Sequence, residues 1–186
     1  MAKKLYQALK DKGNPEFIIN EGPFLCTTDE AWLGHGYYFW DTFEYLPHWW
    51  GEAKLNNSYI VCKAKCDFSS SICFDLVGEP EHMDLFGSLV EVMEKEGLIN
   101  DETTVSEVLY HLKNKLGIFH WKACRVIGVL SISPKTYSHY TFRMIFEVGQ
   151  KHFLDYRPAI QICLYEKEIM NFREYEIIYP DKYLTA

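Results

Sequence analysis

The sequence predicts an α+β fold. Three observations carry that expectation: two amphipathic helical segments sit together in the middle of the chain, strand-like segments flank them on both sides, and no linker or repeat divides the 186 residues. Strands at both ends suit a fold in which they meet in one sheet or a split pair. With 48% hydrophobic residues the chain can bury one core, so a single domain over residues 1–186 is expected.

Taken in order, Lys3 to Ala8 reads as a short first strand, and Asn14-Pro15 opens a brief helical or irregular piece that runs to Gly22. Tyr37 to Trp40 is the second strand. Thr42 to Leu55 reads as a helix crowded on one side by Tyr45, Trp49 and Trp50, with Pro47 in its first turn because an interior proline would break it. Tyr59 to Cys66 alternates: Ile60, Cys62, Ala64 and Cys66 share one face, while Lys63, Lys65 and Asp67 take the other. The clearest helix is Pro80 to Glu96, which starts at a proline, gathers Met83, Phe86, Leu89, Val90 and Met93 on one face and stops at Gly97. A second helix follows, with Thr104 and Glu107 in capping-box spacing, a stripe of Val105, Val108, Leu109, Leu112 and Leu116, and Gly117 as its end. Residues 126–133 are ambiguous. Thr141 to Val148, Ala159 to Tyr165 and Phe172 to Tyr179 then read as strands.

Composition narrows the function classes. A net charge of −7 with dispersed lysines argues against broad, charge-driven nucleic-acid binding. The N-terminus carries no apolar leader and no stretch is long enough to span a membrane, so a soluble cytoplasmic protein without a membrane partner is expected. The cysteines form no CxxC pair and do not combine with the histidines at ligand spacing. They read as core residues of a reducing compartment, with no metal site.

The most informative segment is Trp32-Leu33-Gly34-His35-Gly36-Tyr37-Tyr38-Phe39-Trp40-Asp41. Two glycines permit close backbone approach, and the aromatic run after them offers a flat surface on which a planar ring can stack. The plainer reading is a buried aromatic strand entered through a tight turn.

Gly34-His35-Gly36-Tyr37-Tyr38-Phe39 resembles the glycine, any residue, glycine, apolar, tyrosine, phenylalanine pattern of ADP-ribosyltransferases related to diphtheria toxin and the poly(ADP-ribose) polymerases, notably small bacterial members. The helix carrying Trp49, the segment Tyr59 to Leu76, Phe146-Glu147-Val148-Gly149 and Gln161-Ile162-Cys163-Leu164-Tyr165 follow in the same order. The resemblance implies an ADP-ribosyltransferase-like split β-sheet with an inserted helical segment, and NAD as substrate. Its cleft would be formed by the strands at 37–40, 59–66, 141–148 and 159–165, with Tyr38 and Gln161 facing it. It also implies roles. Tyr38 would stack on nicotinamide with Trp49 closing the other face and Gly36 allowing close approach. Gln7 would bond a ribose hydroxyl, Ala8 would offer its backbone N–H and C=O to the nicotinamide amide, and Gln161 would orient a ribose hydroxyl.

Two departures shape the expected activity. Gln161 stands where polymerase-type members carry a catalytic glutamate, and a neutral amide can orient a hydroxyl but does not stabilise a developing cation as a carboxylate does. Single transfer or NAD hydrolysis is therefore expected in place of chain elongation. Leu5-Tyr6-Gln7-Ala8-Leu9 stands where the family usually has tyrosine, histidine, glycine and serine or threonine, and the Cβ of Ala8 would obstruct a left-handed backbone. His35 is an alternative ligand-facing residue at this end, or else an exposed imidazole. Glu147 and Glu166 are nearby carboxylates, or solvated surface charges. Two functions follow: an NAD-consuming enzyme of the kind found among bacterial toxins and phage-defence effectors, acting on an unnamed acceptor, or a catalytically degenerate relative that binds an NAD-like ligand or a protein partner through the same cleft.

Overall fold

Strand pairing brings the two ends of the chain together in one sheet. The computed structural model describes residues 2–29, 31–128, 143–150 and 152–184. Among them the order is β1 (Ala2–Lys10), α1 (Pro15–Glu21), β2 (Tyr37–Asp41), α2 (Tyr45–Lys54), β3 (Tyr59–Asp67), β4 (Cys73–Asp75), α3 (Pro80–Lys95), α4 (Val105–Asn114), β5 (Ala123–Ile127), β6 (Arg143–Ile145), β7 (Phe153–Asp155), β8 (Ile160–Leu164) and β9 (Arg173–Tyr179). Seven strands form a mixed sheet in the order β4-β5-β8-β2-β1-β3-β9. Among the described strands only β4 and β5 run parallel, with α3 and α4 making the crossover between them. The described residues thus form an α+β fold, with four α-helices and a large mixed sheet.

The alternation expected of β3 is present. Ile60, Cys62, Ala64 and Cys66 are fully buried, while Lys63 and Lys65 pair with Glu176 and Glu174 on β9, each at 2.5 Å. α3 buries Leu89 and Met93, and α4 buries Val108, Leu109 and Leu112, in one cluster with Phe74 and Trp121. The capping box forms as the spacing predicts: Thr104 N–H donates to Glu107 Oε2 at 2.7 Å, and Glu107 N–H donates to Thr104 Oγ1 at 3.3 Å.

Several expectations are corrected. Helix α2 begins at Tyr45 rather than Thr42, because Thr42 adopts a φ of +68° that cannot continue a right-handed helix. Leu116 falls beyond α4 and is exposed, and Met83 and Val105 face solvent at the helix starts. The segment 141–148 does not join the main sheet over its described part. β6 pairs only with β7 in a separate two-stranded sheet, since Gly149, at φ +82°, turns the chain back so that Phe146 N–H reaches His152 C=O. Residues 141 and 142, and 129–133 of the ambiguous stretch, lie outside the described residues. β4 and β5 add two strands that the sequence pattern does not predict.

Candidate functional site

The site begins where two strands part. β1 pairs with β3 along its whole length, Ala2↔Asp67 to Lys10↔Tyr59, but with β2 only at Leu5↔Asp41 and Tyr6↔Trp40. Thr42 N–H donates to Lys4 C=O at 2.8 Å, which fixes the alternation: Lys4, Tyr6 and Ala8 turn their backbone polar groups toward β2. Ala8 lies past the last pair, so its N–H and C=O face the gap. Tyr38 C=O, across from Ala8 in this register, accepts instead from Gln7 Nε2 at 3.3 Å.

That gap opens into a cavity of about 440 Å³. The sheet contributes Tyr6, Ala8, Tyr38, Trp40 and Gln161, the loop before β2 contributes Phe24, Cys26 and Trp32, and α2 contributes Trp50. No described residue of its lining carries a formal charge. Trp40 and Gln161 are cross-strand partners and so share a face. Tyr38 lies opposite Cys163, which makes Gln161 its diagonal neighbour at roughly 7–8 Å between backbone positions.

Tyr38 is held by the glycine turn before it. Its hydroxyl donates to Gly34 C=O at 2.7 Å and accepts from Leu33 N–H at 2.8 Å, and Gly34 supplies the φ of +82° that the turn needs. Burial of the ring holds the Tyr38 phenol neutral, well above the ordinary tyrosine range. Gln161 is 8% exposed, and its Oε1 is buried with no hydrogen-bond partner among the described residues. An unpaired acceptor at that depth is costly, and it belongs to a residue that lines the cavity.

The other residues singled out by sequence divide. Gln7 reaches the cavity wall, yet its amide is engaged: Oε1 accepts from Tyr175 at 2.8 Å while Nε2 spans Tyr38 C=O and Phe24 C=O. A ribose hydroxyl would have to compete with those bonds. Gly36 is absent from the described lining; a Cβ there would collide with Cys163 Sγ and come within 2.8 Å of Leu164 C=O, so this glycine serves the approach of β2 to β8. Trp49 and Trp50 are both partly buried against Trp40, each at 6.0 Å between ring centroids, and it is Trp50 rather than Trp49 that lines the cavity. His35 is exposed and borders a neighbouring cavity with Lys113 and Tyr165, on the far side of a wall that includes Thr28 and Ala31. Glu147 is exposed, and Glu166 pairs with Lys122 at 2.6 Å.

Sequence reading missed the charged cluster on the opposite face of the sheet. Arg125 Nε donates to Asp41 Oδ2 at 2.6 Å, and its Nη1 donates to Asp75 Oδ1 at 2.9 Å. Lys3 Nζ adds a contact to Asp41 at 3.1 Å, and Asp75 Oδ1 also accepts from the N–H groups of Val77 and Gly78. Burial works against the Arg125 charge, but the two carboxylates outweigh it and hold the guanidinium protonated. Because β8 lies between β5 and β2, this bridge crosses β8 on the side away from Gln161. Asp41 and Arg125 are separated by 84 positions, so no local pattern announces the pair.

Among the described residues no cluster of His, Cys, Asp or Glu is placed to hold a metal ion, and no helix is long and apolar enough to cross a membrane. Comparison with protein-family models, curated proteins and solved structures gives no match.

Proposed function

We propose that this chain is an ADP-ribosyltransferase-like protein that takes the nicotinamide end of NAD into the cleft between β1 and β2 and catalyses mono-ADP-ribosyl transfer or NAD hydrolysis. The observation that carries the reading is the convergence of Ala8, Tyr38 and Gln161, from three distant segments, on one uncharged aromatic cavity. The cavity suits a planar carboxamide. Aromatic walls complement the ring, the Ala8 N–H and C=O match a carboxamide's acceptor and donor, and Gln161 Oε1 awaits a donor. Among the described residues the cleft offers the diphosphate no cation, so the diphosphate belongs outside it.

Cleavage of the nicotinamide–ribose bond passes through an oxocarbenium-like state, for which this chain supplies orientation rather than charge. Gln161 would fix a ribose hydroxyl through a neutral hydrogen bond. The missing carboxylate favours a second reading, a relative that binds NAD without consuming it. Free nicotinamide released from NAD by the pure protein separates the two, with Gln161→Ala and Gln161→Glu as controls. An enzyme loses turnover in Gln161→Ala far more than it loses NAD affinity. A binding relative releases nothing as wild type and gains cleavage as Gln161→Glu. Calorimetry showing no NAD binding in any of the three rejects both readings.

A further inference from the structure

Trp32 stands at the mouth of the cleft, 41% exposed, on the loop between α1 and β2. Opposite it lies Gly128, immediately past β5. A Cβ built on Gly128 would stand 2.7 and 2.9 Å from two carbons of the indole six-membered ring and 3.4 Å from Gln161 Oε1. The indole, the backbone leaving β5 and the unpartnered amide oxygen therefore meet at one point. Gly128 is not among the glycines of positive φ, so the indole, and not the backbone conformation, excludes a side chain there.

We infer that Trp32 roofs a subsite at Gln161 for a hydrogen-bond-donating group of the ligand, a hydroxyl or an amide N–H, and that Gly128 is the seat on which this roof rests. A buried acceptor under an apolar cover is shielded from bulk water, and its hydrogen bond is strengthened when the occupant brings the donor. Tyr38 pins one wall and Trp32 covers the amide beside it, so the occupant is a flat ring carrying a donor on an adjacent group. This rests on the reading that the cleft takes NAD, which presents ribose hydroxyls next to its nicotinamide ring.

Cys26 provides a reporter that needs no ligand, since it lines the same cleft and is the one cysteine of the six that is not buried. Its alkylation by iodoacetamide is timed in wild type, Trp32→Ala, Trp32→Phe and Gly128→Ala, and NAD affinity is measured on the same proteins by calorimetry. Removing or unseating the roof should speed alkylation several-fold in Trp32→Ala and Gly128→Ala and weaken NAD about tenfold, with Trp32→Phe close to wild type. Should Gly128→Ala fail to fold, Trp32→Ala against Trp32→Phe carries the test. Unchanged alkylation in Trp32→Ala overturns the roof, as does equal NAD affinity in wild type and Trp32→Ala, and either result leaves the NAD reading standing. Faster alkylation in Trp32→Ala, with no NAD binding to wild type, keeps the roof and removes the NAD reading.

Discussion

Replacing Arg125 with methionine should cost more stability than any other single change at the charged cluster. The side chain of Arg125 is 10% exposed and those of Asp41 and Asp75 are 0% and 5% exposed, so removing the guanidinium strands two carboxylates in the interior. Breaking a buried pair this way costs about 3–5 kcal/mol. The lower end applies here, because Asp41 keeps Lys3 at 3.1 Å and Asp75 keeps the N–H groups of Val77 and Gly78. About 3 kcal/mol corresponds to a fall in Tm of roughly 6–12 °C for a domain of this size. Urea denaturation at neutral pH is the direct assay, with Lys3→Met as comparison. The Lys3 side chain is 19% exposed, so its loss should cost under about 1 kcal/mol. If Arg125→Met lies within about 1 kcal/mol of wild type, the carboxylates are solvated in the native state and the buried bridge does not hold them.

Two further outcomes are expected. Tyr38→Phe removes the bonds to Leu33 N–H and Gly34 C=O and should cost about 1–2 kcal/mol in thermal or urea unfolding with little change in NAD affinity, whereas Tyr38→Ala also loses the stacking surface and should weaken NAD roughly fivefold beyond it by calorimetry; equal affinities in the two variants would place the ligand elsewhere. Bonds from the Thr104 backbone and hydroxyl hold the Glu107 carboxyl below its usual 4.5, so the stabilisation is present above that value and is lost as pH falls through the lower native one. Glu107→Gln should therefore unfold more easily than wild type in urea at neutral pH and match it in strong acid; a gap that persists in acid would show that the glutamate acts through something other than its charge.

How much of this was legible in the sequence depended on the range of the interaction. β3 announced itself because one of its faces is salt-bridged and the other buried, and the Thr104 box because its partners lie three residues apart. β4 and the first part of β5 are buried at every position, which leaves no alternation to detect. The aromatic helix was recognised but its phase was not. Successive helical residues point about 100° apart, so of two neighbouring tryptophans packed against the same cluster only Trp50 lines the cavity. Tyr38 and Gln161 were paired through motif order; the physical reason they meet is the β2–β8 ladder, joining segments about 120 positions apart, which no local signal encodes. The parting of β1 from β2, which creates the cleft, has no sequence mark beyond the Gln7 side chain that bridges it.

That ladder also sets when the cleft comes into being. β2 emerges from the ribosome about 120 residues before its partner on one side, β8, which ends at Leu164. Until then one edge of β2 is open and Gln161 is missing from the cavity wall, whatever the state of β1, β3 and the helices. Ladders between distant segments form slowly, and an apolar strand left with a bare edge invites pairing with another chain. A nascent chain that stops short of Leu164 therefore has an incomplete cleft and one open strand edge. The cleft is complete only once β8 has been made, and that step also covers the open edge of β2.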